Sequence, residues 1–166
     1  GGGLNKLDRE KGIFTQYKNN PSNVNSISSN AIISACEDHE GTLWIGTFNG
    51  GLGKLKDNKF SAYYHDPSNS HSIAQNHVWD VLEDSKNNLW VATLSRGLDL
   101  FDRKSNKFFH YTHNENDSTS ISNYSLIKLF EDSRQMLYVS SYHGVSVVDL
   151  NEIDFSKTSP EIKFRN

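Results

Sequence analysis

Cysteine and proline are rare in this sequence, and long hydrophobic runs are missing. Cys36 is the single cysteine among 166 residues, and there are three prolines. One cysteine excludes an internal disulfide framework and cannot build a zinc site with other cysteines. No apolar run approaches the roughly 20 residues that span a bilayer as a helix. The sequence therefore shows no disulfide, zinc-finger or bilayer-spanning pattern.

Strong charge of either sign is also missing. Lys and Arg number 17 against 20 Asp and Glu, for a net charge of −3. This near-balance excludes a polybasic nucleic-acid arm, a membrane-surface helix and an acidic tail as the main function. Hydrophobic residues make up only 35% of the chain, yet aromatic residues make up 11%. That aromatic content is atypical of disordered sequences and indicates a folded β-type domain.

What the sequence does contain is an internal repeat. Three marks recur in fixed order: an acidic pair, a leucine followed by an aromatic residue, and a glycine followed by leucine or valine. The acidic pairs, at intervals of 46 and 48 residues, are Glu37-Asp38, Glu83-Asp84 and Glu131-Asp132. The aromatic residues are Trp44, Trp90 and Tyr138, and the glycines are Gly51, Gly97 and Gly144. A period of about 47 residues is typical of repeat architectures such as propellers.

Each period contains four short stretches that predict β-strands, separated by turn residues. In the second complete copy these stretches are Val78–Asp84, Leu89–Thr93, Gly97–Asp102 and Lys107–Thr112. Four strands at this spacing predict one blade of a β-propeller. We therefore predict an all-β fold, a partial β-propeller of about three and a half four-stranded blades, which is half of a seven-bladed propeller.

The predicted propeller spans residues 1–158. Its parts are the end of one blade at 1–25, complete blades at 26–71 and 72–119, and a last blade at 120–158, in which Phe155 marks the fourth strand. Closed propellers need at least four blades, and an uncovered blade face exposes much apolar surface. We therefore expect the outer faces to be covered by the remaining blades of a longer propeller or by a second copy in a homodimer.

The residues that all copies share have a structural interpretation. The repeated aromatic residue is expected to fill the space between neighbouring blades. The acidic pair is expected to cap the first hairpin of each blade, with side-chain oxygens accepting bonds from backbone N–H groups. Gly41 and Asn87 suit the positive φ of such a hairpin, whereas Gln135 suits it poorly and predicts a different third turn.

These repeats resemble the two-component regulator propeller repeat, whose pattern is E-D-x-x-[G/N]-x-L-W-[I/V]-[G/A]-T followed by G-L. The copies that begin at Glu37 and Glu83 match this pattern closely. The third copy departs from it at Tyr138-Val139-Ser140-Ser141. The resemblance covers almost the whole chain.

Such repeats occur in periplasmic sensor regions of bacterial hybrid two-component receptors, which detect oligosaccharides and induce polysaccharide-use genes. The resemblance implies a non-enzymatic, ligand-sensing fragment of a periplasmic sensor histidine kinase, with an oligosaccharide as its ligand. It implies no cofactor, no metal and no nucleic-acid partner, and membrane contact only through segments outside this chain. Residues 159–166 would form an exit linker toward an Ig-like domain.

Two alternatives remain open, because a fold does not prove a function. One is a protein-docking scaffold, and the other is a glycan-cleaving enzyme. The hairpin at Asp38 resembles the aspartate boxes of sialidase-like enzymes, which are structural even there. An enzyme should also show a non-repeated cluster of carboxylates, or His with carboxylate, on one face. The seven histidines show no consistent ligand spacing, which disfavours a metal site.

A ligand site is expected where the copies differ, since positions that are alike in every copy serve the fold. The starts of the first strands differ between copies, as do the loops between second and third strands, and these two sets lie on one rim of a propeller. Aromatic rings suit the C–H faces of sugars, and Asn, Asp and Arg suit their hydroxyl groups. The candidate ligand-binding residues are Trp79, Arg96, Tyr142, His143, Asp80 and Asn49. The alternative for Trp79 is a place in the inter-blade core.

Overall fold

The computed structural model describes residues 2–157 and 159–166. The first sheet pairs β1 (Leu4–Asp8) with β2 (Ile13–Tyr17). The second comprises β3 (Ile32–Glu37), β4 (Leu43–Thr47), β5 (Leu52–Lys56) and β6 (Lys59–Tyr63). The third comprises β7 (Val78–Glu83), β8 (Leu89–Thr93), β9 (Gly97–Asp102) and β10 (Lys107–Tyr111). The fourth comprises β11 (Leu126–Glu131), β12 (Met136–Ser141) and β13 (Gly144–Asp149).

All four sheets are antiparallel meanders in which each strand pairs with the next one along the chain. The first strands β3, β7 and β11 contact one another from sheet to sheet, so the sheets share an inner edge. This is the arrangement of propeller blades, and the predicted all-β partial propeller is confirmed. We number the sheets blades 1 to 4 in chain order. Strands β8 and β9 have the bounds predicted from the sequence.

The conserved aromatic position of each repeat packs against the following blade. Trp44 on β4 is only 1% exposed and meets Phe101 of blade 3 edge to face, with ring centroids 5.5 Å apart. Trp90 is buried in the same way against residues of blade 4 and meets Phe155 at 6.3 Å. The expectation that these tryptophans fill the space between blades is therefore confirmed. Tyr138 is only half-buried, because within the described residues no further sheet covers blade 4.

The acidic residue of each hairpin caps its own turn, as expected. One carboxylate oxygen of Asp84 accepts the backbone N–H groups of Lys86 and Asn88, at 2.9 Å each. The other oxygen accepts the indole N–H of Trp90 at 2.7 Å. The turn around Asp38 is built identically, which ties the hairpin to the inter-blade tryptophan in both complete blades.

The prediction of a different third turn is wrong. Gln135 adopts a φ of +62°, close to the +73° of Gly41 and the +66° of Asn87. Asp132 caps this turn through the N–H groups of Arg134 and Met136, so the capping bonds hold Gln135 in the left-handed region despite its side chain.

Blade 4 ends differently from the prediction. Phe155 lies in a turn rather than in a fourth strand, and its ring packs on the core beside Trp90. The outer position is taken by Arg165, which forms an antiparallel bridge to Val147 with two backbone hydrogen bonds of 2.8 Å. Phe164 is buried in the same core. Residues near the end of the chain thus pack onto blade 4, because a buried phenylalanine anchors them there.

Candidate functional site

The antiparallel order of the strands separates the two ends of each blade. Hairpins capped by aspartate join first to second strands at one end, which we call the lower end. The opposite end, which we call the upper rim, carries the loops between second and third strands and the starts of the first strands. The upper rim comprises residues 48–50, 94–96 and 142–143, together with 30–34, 76–80 and 124–128.

A β-bulge interrupts the start of each first strand on this rim. The pairing register shifts between Ile32 and Ser34, and shifts again at the equivalent places in the next two blades. The residues left over at these bulges are Ile33, Trp79 and Ile127. A bulge re-aims its extra side chain away from the regular alternation of the strand. Trp79 is therefore half-buried on the rim and lies outside the clusters of buried core residues.

Three aromatic rings meet on the rim where blades 2 and 3 touch. Phe48 from the β4–β5 loop packs edge to face on His77, with ring centroids 5.0 Å apart. The same phenylalanine lies 6.5 Å from the ring of Trp79. Phe48 remains 46% exposed, so this group presents ring surface to solvent. We call Phe48, His77 and Trp79 the aromatic platform.

Of these three residues, the sequence comparison nominated only Trp79. Phe48 stands directly before the nominated Asn49, and the equivalent residue of blade 3 is not aromatic. The same difference between copies that nominated Asn49 therefore also applies to Phe48. Asn49 itself is exposed beside the platform. The partnership between Phe48 and His77 could not be found in the sequence, because they belong to different blades.

Arg96 lies on the β8–β9 loop, on the rim of blade 3. Leu94, two residues before it, donates its N–H to the carbonyl oxygen of His77 at 3.1 Å. On the other side, Gly97 donates to the carbonyl oxygen of Tyr124 in blade 4 at 2.8 Å. Arg96 is exposed, and among the described residues its guanidinium forms no ion pair. Its charge is therefore available at the surface.

Asp80 occupies a different environment from the other nominated residues. It is only 2% exposed. One of its carboxylate oxygens accepts Lys128 Nζ at 3.0 Å, and the other accepts the Leu129 N–H at 2.8 Å. Both oxygens thus join the first strands of blades 3 and 4. The geometry favours a structural role for Asp80, because its acceptors are already used within the protein.

Tyr142 and His143 lie on the β12–β13 loop of blade 4. Tyr142 is 66% exposed, and His143 is exposed as well. No aromatic contact in the described part of the chain joins them to the platform. The structure therefore places Asn49 directly after Phe48 of the platform and Arg96 on the same blade as Trp79, and it leaves Tyr142 and His143 on a separate blade of the same rim.

One buried acidic residue near the upper rim has a histidine partner. Asp99 is fully buried, and its carboxylate accepts the Ala74 N–H at 2.8 Å and contacts His110 Nδ1 at 2.7 Å. His110 Nε2 lies 3.0 Å from the carbonyl oxygen of Ser70. Burial raises the pKa of Asp99, and the hydrogen bond to Asp99 raises the pKa of His110. The pair holds the connection between blades 2 and 3 onto β9 and β10.

Two cavities lie away from the rim. The larger, of about 540 Å³, is lined by the lower hairpins of blade 3 and by residues around Phe155. The smaller, of about 240 Å³, lies between β13 and the chain end. Neither is lined by a nominated ligand-binding residue. Among the described residues, no group of three or more His, Cys, Asp or Glu side chains could hold a metal ion.

The family model of the two component regulator propeller matches residues 26–49 and 72–95, one segment in each complete blade. The chain carries two-component regulator propeller repeats. Both matches begin at the Ser-Ile step before the first strand and end in the rim loop, so they contain the capped hairpin and the inter-blade tryptophan. Among curated proteins, no sequence matches this propeller. Within the described residues, no helix has the length and hydropathy that a bilayer crossing requires.

Solved structures share this propeller fold. The extracellular domain of the candidate hybrid two component system BT3049 from B. thetaiotaomicron is 25% identical, with a TM-score of 0.70 over 82% of this chain. That of BT4673 from the same organism is 17% identical, with a TM-score of 0.63 over 99% of this chain. The chain spans 18% and 28% of those two proteins.

An enzyme shares the fold as well. Virginiamycin B lyase from Staphylococcus aureus is 17% identical, with a TM-score of 0.61 over 98% of this chain and 47% of the lyase. The propeller fold therefore does not decide between sensing and catalysis, and the site must carry that argument.

Proposed function

We propose that this chain is part of the extracytoplasmic, periplasmic sensor region of a hybrid two-component histidine kinase and that its upper rim binds an oligosaccharide. The observation that carries this proposal is the exposed aromatic platform at the junction of blades 2 and 3. Sugar rings bind proteins through C–H contacts with aromatic faces and through hydrogen bonds at their hydroxyl groups. Asn49, which follows Phe48 in the chain, and Arg96, on the next loop of the same rim, are exposed polar residues that could serve those hydroxyl groups.

The two-component regulator repeats and the extracellular neighbours support the sensor part of the proposal. A sensor converts binding into a change of state only to the extent that its ligand prefers one state over the other. The kinase, the membrane anchor and the control of polysaccharide-use genes would reside in segments outside this chain. The remaining blades, or a second copy of the chain, would cover the open faces of blades 1 and 4.

Titration of the chain with a panel of oligosaccharides tests the proposal. We expect saturable binding that weakens about fivefold in Trp79→Ala, since one aromatic contact contributes on the order of 1 kcal/mol. Phe130→Ala is the matched control, because Phe130 is 59% exposed on the outer face of blade 4, away from the platform. Equal weakening in both variants, or in neither, would contradict a rim site.

The same experiment separates the sensor from the enzyme. Chromatography of the glycans after prolonged incubation should recover them uncut, since no free pair of carboxylates lies on the described rim. Cleavage that survives repeated purification would favour the enzyme instead.

A further inference from the structure

We propose that the upper rim is selective for an acidic oligosaccharide, one whose sugar rings carry carboxylate or sulfate groups. This inference rests on the proposed function, because it names the ligand class of the same site. Its basis is the distribution of charge along the rim, which the aromatic platform alone does not determine.

The described rim offers positive charge and no free carboxylate. Arg96 is an exposed cation with no ion pair among the described residues, whereas Lys128 is paired with Asp80 at 3.0 Å, although its side chain is 69% exposed. Asp80 is the acidic residue of the rim, and both of its oxygens are used by Lys128 Nζ and by a backbone N–H. The charge left unpaired on the described rim is therefore the positive charge of Arg96, although the whole chain has a net charge of −3.

Other carboxylates at this end of the blades lie toward the periphery. Asp66 and Asp117 belong to connections that leave the outermost strands, and each caps its own turn through a backbone N–H at 2.9 Å, that of Ser68 or of Thr119. Glu115 lies in the same outer connection as Asp117. These groups follow the outer strands in the chain, whereas the platform stands on the innermost strand and the adjacent loops. The negative charge is thus displaced from the platform.

Arg96 stands on the rim loop of blade 3, between the platform and blade 4. Backbone hydrogen bonds fix its loop between His77 of the platform and Tyr124, which is 50% exposed. A guanidinium presents two parallel N–H donors, which match a carboxylate or sulfate group and bind it more strongly than a neutral hydroxyl. An unpaired guanidinium on the same rim as exposed aromatic rings therefore favours an anionic sugar over a neutral one.

Titration with three tetrasaccharides of matched length tests the inference: tetragalacturonate, which carries carboxylates, a κ-carrageenan tetrasaccharide, which carries sulfates, and neutral maltotetraose. We expect at least one acidic ligand to bind about tenfold more tightly than maltotetraose, and that advantage to shrink between about 50 mM and about 500 mM NaCl. The carboxylate and sulfate arms distinguish the two sources of charge.

Variants locate the charge that is responsible. Arg96→Gln should weaken acidic-ligand binding by about 10- to 100-fold and maltotetraose binding by much less, so that the preference for the acidic ligand falls by about tenfold. Arg96→Lys should restore part of the loss, because it keeps the charge but not the paired donors. Lys104→Gln is the control, since Lys104 is an exposed cation at the lower end of blade 3 and should leave binding unchanged.

The outcomes separate this inference from the proposed function. Tighter binding of maltotetraose, or of all three ligands equally, with loss in Trp79→Ala would overturn the acidic selectivity and keep the rim as an oligosaccharide site. Acidic binding that Arg96→Gln leaves intact would also overturn the inference. Binding of none of a broad glycan panel would remove the proposed function itself.

Discussion

The lower end and the upper rim of the blades use their polar groups in opposite ways. At the lower end, the same aspartate recurs in every copy, and its oxygens bond the hairpin and the inter-blade aromatic residue. On the upper rim, the copies differ, and Arg96 and Asn49 point their side chains at solvent. The polar residues that repeat in every copy are therefore hydrogen-bonded within the protein, whereas the polar residues that vary between copies are free to bind a ligand.

Glutamate extends this internal bonding from blade to blade. Glu83 of blade 3 accepts the backbone N–H of His39 in blade 2 at 2.6 Å. Glu131 of blade 4 accepts the N–H of Ser85 in blade 3 at 2.7 Å and its hydroxyl at 2.6 Å. Each glutamate thus clasps the capped hairpin of the preceding blade, which explains why Glu and Asp recur as a pair.

The largest expected effect contrasts two tryptophans. Trp90→Ala should lower the free energy of unfolding by about 3–5 kcal/mol, because it removes a fully buried aromatic side chain and one of the two side-chain hydrogen bonds to this Asp84 oxygen. Trp79→Ala should cost less, about 1–2 kcal/mol, since Trp79 is only half-buried and lies outside the buried core clusters. Urea unfolding of both variants measures the two free energies of unfolding. Similar losses would contradict the view that Trp90 serves the fold and Trp79 does not.

The second prediction concerns acid stability at the lower end. Burial by itself raises the pKa of Asp38, but bonds from Trp44, Thr42 and Arg103 outweigh it and hold the pKa at about 2. A depressed pKa gives stability that is present above the unfolded value of about 3.8 and is lost as the pH falls toward about 2. Asp38→Asn should therefore cost about 2 kcal/mol at neutral pH and flatten the acid-unfolding curve between those values.

The control for this variant is Asp57→Asn. Asp57 also lies in a turn, but the Trp44 indole donates to Asp38 and not to Asp57. An acid-unfolding midpoint that is unchanged in Asp38→Asn would show that the capping bonds do not favour the carboxylate.

The third prediction concerns two polar residues that are bonded within the protein although they are not repeated between copies. Asp99 and His110 are not repeated, since blade 2 has Gly53 and blade 4 has Ser146 at the position of Asp99, yet they bond each other. The pKa of His110 is raised in the folded state, so its protonated form stabilises the fold. This stabilisation is complete below the unfolded pKa of about 6.5 and is lost as the pH rises through the folded pKa. The raised pKa of Asp99 acts in the same direction.

Denaturant midpoints measured from about pH 5.5 to about pH 8.5 should therefore fall with rising pH, and His110→Gln should remove that slope. His113→Gln is the control, because His113 bonds the Ile121 carbonyl but no carboxylate. A slope that persists in His110→Gln would assign the pH dependence to another group.

The smallest expected effect concerns the glutamate clasp. Glu131→Gln should lower stability by about 0.5–1 kcal/mol, because it weakens two charge-assisted hydrogen bonds that are partly open to solvent. Glu37→Gln is the matched control, since among the described residues the equivalent hairpin of blade 1 is not present and the Glu37 side chain is exposed. Equal effects of the two substitutions would show that the clasp contributes nothing.

Sequence comparison nominated residues of one rim but not the contacts between them. The differences between copies pointed to the upper rim and to Trp79 and Arg96, which stay predicted ligand-binding residues. They also nominated Asp80, because a difference between copies does not tell a free carboxylate from one that is buried against Lys128. Phe48 and His77 were not nominated, because two aromatic residues that pack across two blades produce no spacing pattern within one segment of the chain.

The period, the strands and the capped hairpins were determined by the sequence alone, since each depends on residues close together in the chain. Turn residues set the hairpins, alternation sets the strands, and their recurrence sets the blades. Only the tertiary structure decided which varying residues meet across blades, that Arg165 rather than Phe155 lines the outer edge of blade 4, and that a bulge turns Trp79 toward the rim. Those outcomes depend on packing between segments distant in the chain, where burial and backbone pairing choose among side chains that local patterns treat alike.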